Sequence, residues 1–97
     1  MKGNHAAASG WAYLTNHAQV LICLARNPDA VLREVAAEVG VTERAAHKII
    51  SDLEQAAVLT RTREGRRNHY AIHRDQRLRH HVGAHCTVGE LLALVEQ

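Results

Sequence analysis

Residues 32–72 read LREVAAEVGVTERAAHKIISDLEQAAVLTRTREGRRNHYAI, and the periodicities in this stretch decide the fold. Leu32, Val35, Ala36 and Val39 recur on one side of a short helix over residues 32–39. Its start is weak, because Val31 stands where Ser, Thr or Asp caps well. Gly40 then suits the left-handed conformation that closes a helix, and Thr42 can cap a longer helix running to about Ala57. On a wheel of 42–57, Ala46, Ile49, Ile50, Leu53 and Ala57 share one face. Arg44, Lys48, Ser51 and Gln55 occupy the opposite face, with His47 at its border and Glu43, Asp52 and Glu54 flanking it.

Short helix, tight turn with glycine, longer helix is the order of a helix-turn-helix, here spanning about 32–57. Val58–Thr62 and Arg67–Ile72 are then rich in Val, Thr, Tyr and Ile. The short segment Arg63-Glu64-Gly65-Arg66 joins them, so residues 58–72 read as a β-hairpin. Tyr70 and Ile72 should face inward and Arg67, His69 and Ala71 the other way.

Upstream, Leu14, Ala18, Leu21 and Ala25 set a helical stripe over 13–26, which Asn27-Pro28-Asp29 ends. Val20-Leu21-Ile22-Cys23-Leu24 is apolar all round, so this helix needs cover on more than one face. A second subunit is one source of that cover. Residues 1–10 (MKGNHAAASG) read as a flexible tail ahead of a single domain over 11–97. Arg74–Cys86 has no clear period and reads as irregular connection. Thr87-Val88-Gly89-Glu90 is a capping box, and it starts a last helix over about 88–97 with Val88, Leu91, Leu92 and Val95 on one face. The fold class is therefore mostly α with a small β-hairpin, α+β.

As an ordered set, these segments resemble the winged helix-turn-helix transcription regulators, in the manner of the bacterial MarR and ArsR groups. Leu32–Arg44 resembles the stretch that enters and turns the motif, Leu53–Arg61 the passage from recognition helix to wing, and Arg66–Ile72 the returning wing strand. The likeness covers about residues 13–72. Ala57 stands where these regulators often have Gly, and the chain is shorter than a typical MarR protein.

The resemblance implies that the 42–57 helix enters the DNA major groove. Thr42, Arg44, Ala45, His47, Lys48 and Ser51 are its candidate contacts; Arg and Lys donate to guanine N7 and O6. In the wing, Arg61, Arg63, Arg66 and Arg67 place four permanent cations within seven residues, which repel one another unless an anion is near. They and Asn68 are candidates for the phosphates or the minor groove, and Arg74, Arg77 and Arg79 can extend the basic strip. Operators are usually two-fold symmetric, so a homodimer through the first and last helices is expected, with Trp11, Tyr13, Leu91, Leu92 and Val95 as core and dimer contacts.

Other features carry rival readings. His80, His81, His85 and Cys86, with His73 and Asp75 upstream, are potential metal ligands, but HHxxxHC is not a firm ligand spacing. A regulator sensing metal or thiol chemistry there is the first alternative. A winged helix that binds protein in place of DNA is the second. Cys23 reads as a structural thiol, and Cys86 beside His85 as a possible reactive one. Neither cysteine belongs to a CxxC pair.

Composition narrows the field. The chain has 97 residues, 46% hydrophobic and 23% charged, with Pro once and Phe never. One domain follows, with globular values and a helical bias. Net charge is only +2, yet Asp29–Glu54 holds six acids against three bases, net −3, and Arg61–Arg79 holds seven arginines against two acids, net +5. A focused polyanion contact fits better than a sticky surface. No apolar run approaches the roughly 20 residues of a membrane span, and residues 1–10 do not resemble a signal peptide, so a cytoplasmic protein is expected. No catalytic constellation or phosphate-binding glycine loop is evident, so no enzyme and no cofactor are expected.

Overall fold

A computed structural model describes residues 11–96; the expected tail at 1–10 and the terminal Gln97 lie outside the described residues. Among the described residues the architecture is α+β, four helices and a two-stranded antiparallel hairpin. The order is α1 (Asn16–Arg26), α2 (Leu32–Val39), α3 (Glu43–Gln55), β1 (Leu59–Glu64), β2 (Arg67–Ile72) and α4 (Val88–Val95).

Helix α1 begins three residues later than its apolar stripe suggests. Thr15 takes the cap, its Oγ1 accepting the Ala18 N–H at 3.1 Å, and leaves Tyr13 and Leu14 outside the helix. Val20, Leu21, Ile22 and Leu24 are all buried within the chain itself, Val20 and Leu24 completely. The other three helices and β2 all pack against α1, so this apolar run needs no second subunit to cover it. Val35, Ile49, Ile50, Leu53, Val58, Leu59, Tyr70, Val88 and Leu92 complete the core around it.

The weak start of α2 is real. Val31 offers no side-chain acceptor, and only Glu34 reaches back, its Oε1 accepting the Val31 N–H at 3.4 Å. Its end is firm: Gly40 sits at φ +87°, and the N–H groups of Gly40 and Val41 both donate to the Ala36 carbonyl. Thr42 caps α3 through Oγ1 to the Ala45 N–H at 3.0 Å. Ala46, Ile49, Ile50 and Leu53 are buried as the wheel required, but Ala57 is exposed. The helix stops at Gln55, two residues short of expectation, because Ala57 turns left-handed at φ +63°. The Val58 N–H then donates to the Leu53 carbonyl and the Ala57 N–H to that of Glu54. That bond pattern is a Schellman closure, and buried Leu53 and Val58 supply its apolar contact.

The hairpin is longer and its turn tighter than the sequence suggests. Leu59 pairs with Ile72 and Glu64 with Arg67, so only Gly65 and Arg66 form the turn. Gly65, at φ +64°, supplies the positive angle that two-residue hairpin turns require. Tyr70 faces the core, and its N–H donates at 2.9 Å to the Pro28 carbonyl, fastening β2 to the turn between α1 and α2. Residues 74–86 are irregular, as expected, with an isolated bridge between Arg77 and Thr87. The capping box of α4 is complete: Thr87 Oγ1 accepts from Glu90 N, and Glu90 Oε1 accepts from Thr87 N. No helix among the described residues is long and apolar enough to cross a membrane.

Candidate nucleic-acid interface

The tight turn at Gly40 and the Thr42 cap fix where α3 starts, and its buried stripe fixes which face remains outside. Arg44, His47 and Lys48 are exposed on that outer face, and Ala45 and Ser51 are half-buried beside them. The Thr42 hydroxyl oxygen accepts the cap bond, which leaves its O–H as a donor. Lys48 is not free standing. Its Nζ donates to Asp52 Oδ1 at 2.6 Å, one turn along, and Asp52 Oδ2 accepts from His17 Nε2 at 2.9 Å. Asp52 thus flanks the outer face, linking Lys48 to His17 of α1. The hydrogen bond from His17, and then that from Lys48, hold its carboxyl below the ordinary carboxylate range. Such exposed pairs open readily, which leaves the Lys48 ammonium exchangeable onto a stronger anion.

The four wing arginines, alike in sequence, separate into distinct settings. Arg61 and Arg63 share the strand face of Tyr70, whereas Arg67 lies on the opposite face with His69 and Ala71. Arg61 Nε pairs with Glu54 Oε2 at 3.3 Å, tying β1 to α3. Arg63 Nε donates to the Gly65 carbonyl and braces the turn. Arg67 Nη1 donates to the Asp29 carbonyl at 2.9 Å. Arg66 is at the tip, and its side chain, like that of Arg44, makes no hydrogen bond or ion pair among the described residues. Asn68 is half-buried.

Past the hairpin, the three arginines differ in their settings. Arg74 closes a bidentate pair with Glu96, at 3.1 and 2.7 Å, and Arg77 donates to the Ala84 and His85 carbonyls. Arg79 lines a cleft of about 500 Å³ with His17 and Asp52. Arg74 and Arg77 thus fasten the 74–86 segment and α4, while Arg79 remains an exposed cation.

Among the described residues, His80, His81, His85 and Cys86 do not bring three ligand atoms within coordinating distance of one another. The rings of His80 and His81 stack at 4.5 Å, and His80 Nδ1 accepts the Val82 N–H. Cys23 is half-buried; burial, and then Glu38, push its thiol up, away from the reactive thiolate.

The structure adds a node that the sequence reading passed over. His69 Nδ1 donates to Asp29 Oδ1 at 2.8 Å, and this hydrogen bond raises the imidazole above its ordinary value. Asp29 reads in sequence only as part of a helix-ending turn, and a partner 40 positions away leaves no local pattern. Compared with known proteins, the chain matches no protein-family model and shows no significant similarity to a curated protein.

Proposed function

We propose that this chain is a winged helix-turn-helix protein that binds double-stranded DNA and regulates transcription in the cytoplasm. The carrying observation is the pairing of an exposed cationic face on α3 with a hairpin whose tip holds an arginine that has no partner among the described residues. Helix α3 would lie in the major groove. Arg44, near its N-terminal end, would reach base edges first, with His47, Lys48 and Ser51 following along the same face. Lys48 would exchange Asp52 for a phosphate or a guanine edge. The hairpin would carry Arg66, with the unbound Nη groups of Arg63, onto the phosphates or into the minor groove. Arg61 and Arg67 would serve differently, holding the hairpin to α3 and to the Asp29 turn.

Two copies on a two-fold operator would act sterically, blocking or recruiting polymerase. The surface proposed for pairing contains Trp11 and Tyr13, just before α1, and Leu94 on α4. They are 62%, 92% and 70% exposed, respectively, a high value for such large apolar side chains.

Fluorescence anisotropy on random duplexes at stepped salt concentrations tests the reading. Affinity should fall steeply with salt, as counterion release demands, and Arg66→Ala should flatten the slope by about one unit. Arg61→Ala, which loses an internal pair, should leave that slope unchanged. Absence of binding at low salt would overturn the reading and favour an acidic protein partner for the same arginines.

A further inference from the structure

We propose that Asp29, Glu64 and His69 form a binding site for a divalent transition-metal ion of the zinc class, bridging the α1–α2 turn to both strands of the hairpin. One ligand atom from each residue lies within 4.8 Å of the other two. The three come from different segments: the turn after α1, the end of β1 and the middle of β2. Thr62 stands opposite His69 in the register, so Glu64, two residues on, is the diagonal neighbour of His69 on one sheet face. Asp29 is held against that face by main-chain bonds, Arg67 to its carbonyl and Tyr70 N–H to that of Pro28. The hairpin register and these bonds bring the three side chains together before any ion arrives.

A second observation points the same way. Glu64 belongs to a hairpin with four arginines and forms no ion pair with any of them among the described residues. Its carboxylate sits instead beside that of Asp29, around one imidazole. Two carboxylates this close attract a cation, and the His69 Nδ1–H that donates to Asp29 is the proton an incoming ion would displace. One imidazole nitrogen with two carboxylate oxygens is a borderline donor set, matched to a zinc-class ion. Both carboxylate residues are exposed, so the remaining positions would be filled by water and the ion would exchange freely.

This site is distinct from the His80–Cys86 segment and does not depend on DNA binding. Bound metal would cross-link the hairpin to the body and cancel the two negative charges nearest Arg66 and Arg67.

The test is calorimetric titration of zinc chloride into the full chain, with amide shifts mapped by NMR. It is run on wild type, Glu64→Gln, His69→Gln and a variant combining His80→Gln, His81→Gln, His85→Gln and Cys86→Ser. One equivalent should bind with a dissociation constant of about 10 μM or tighter. Shifts should cluster at residues 28–30 and 63–70. Glu64→Gln and His69→Gln should each weaken binding about tenfold or more, and the four-residue variant should bind like wild type. Zinc should raise the melting temperature of wild type and not of Glu64→Gln, a surface change that keeps side-chain size. No binding at about 100 μM zinc, binding unchanged in both single variants, or binding lost only in the four-residue variant would each overturn the site.

Discussion

Ala57 carries the sharpest local strain in the described chain, an L-residue at φ +63° that must turn left-handed for the Schellman bonds to close. That conformation costs an alanine about 1 kcal/mol, and glycine would lose roughly half of that relief to its freer unfolded state. Ala57→Gly is therefore expected to stabilise the fold by about 0.5 kcal/mol, a rise of roughly 2–4 °C in a thermal melt followed by circular dichroism. A lower melting temperature would show that the alanine methyl contributes packing that outweighs the strain. Asp52 gives a test in pH. Its folded pKa is depressed below the ordinary 3.8, first by the His17 hydrogen bond and then by Lys48. The unfolded chain thus binds the proton more readily, and the stabilisation is present above the ordinary value and fades as pH falls through the depressed one. Melting curves of wild type and Asp52→Asn should stay apart at neutral pH and converge on the acid side of that value. An offset that persists at the lowest pH at which both variants still fold would mean that Asp52 acts through shape and not through charge.

Helix α3 depends on its cap as much as on its buried stripe. Thr42→Ala removes the Oγ1 acceptor for the Ala45 N–H and is expected to cost about 1 kcal/mol, read as a fall of roughly 4–8 °C in melting temperature. Thr42→Ser, which keeps the oxygen, should restore most of it. Caps of this kind explain how much of the fold could be read in advance. Gly40, Thr42 and the Thr87–Glu90 box act within four residues of themselves, so α2 and the start of α4 fall where the pattern puts them. Apolar spacing is a poorer guide to ends. It drew α1 back to Tyr13 because Leu14 fits the stripe, while the polar Thr15 sets the true start. It likewise drew α3 on to Ala57, since nothing in the residue type announces a left-handed alanine. At the candidate interface the exposed arginines were legible as residues but not as partners. Which arginine braces a turn, pairs with Glu54 or stands alone depends on contacts such as Arg67 to Asp29, 38 residues apart.

Across the whole molecule, the internal cover of α1 changes what a second copy would have to do. The run Val20–Leu24 is packed by the chain's own helices and β2, so pairing is not needed to complete the core. The proposed dimer would instead draw on Trp11, Tyr13 and Leu94, which, with Val82, are the exposed large apolar side chains among the described residues. In the proposed two-fold arrangement, adjacent half-sites lie about 34–36 Å apart, and the described residues span 39 × 31 × 25 Å. The mass in sedimentation equilibrium at tens of micromolar is therefore expected to be close to twice the 10.7 kDa of the chain. Leu94→Glu should return it to one chain without lowering the melting temperature, because Leu94 points away from the core formed by Val88 and Leu92. The same variant should weaken binding to a two-site duplex far more than to a single half-site, since losing the partner removes the effective concentration that links two contacts. A wild-type chain that sediments as a monomer, with or without operator-length DNA, would leave the apolar surface to another partner and remove the two-fold mechanism altogether.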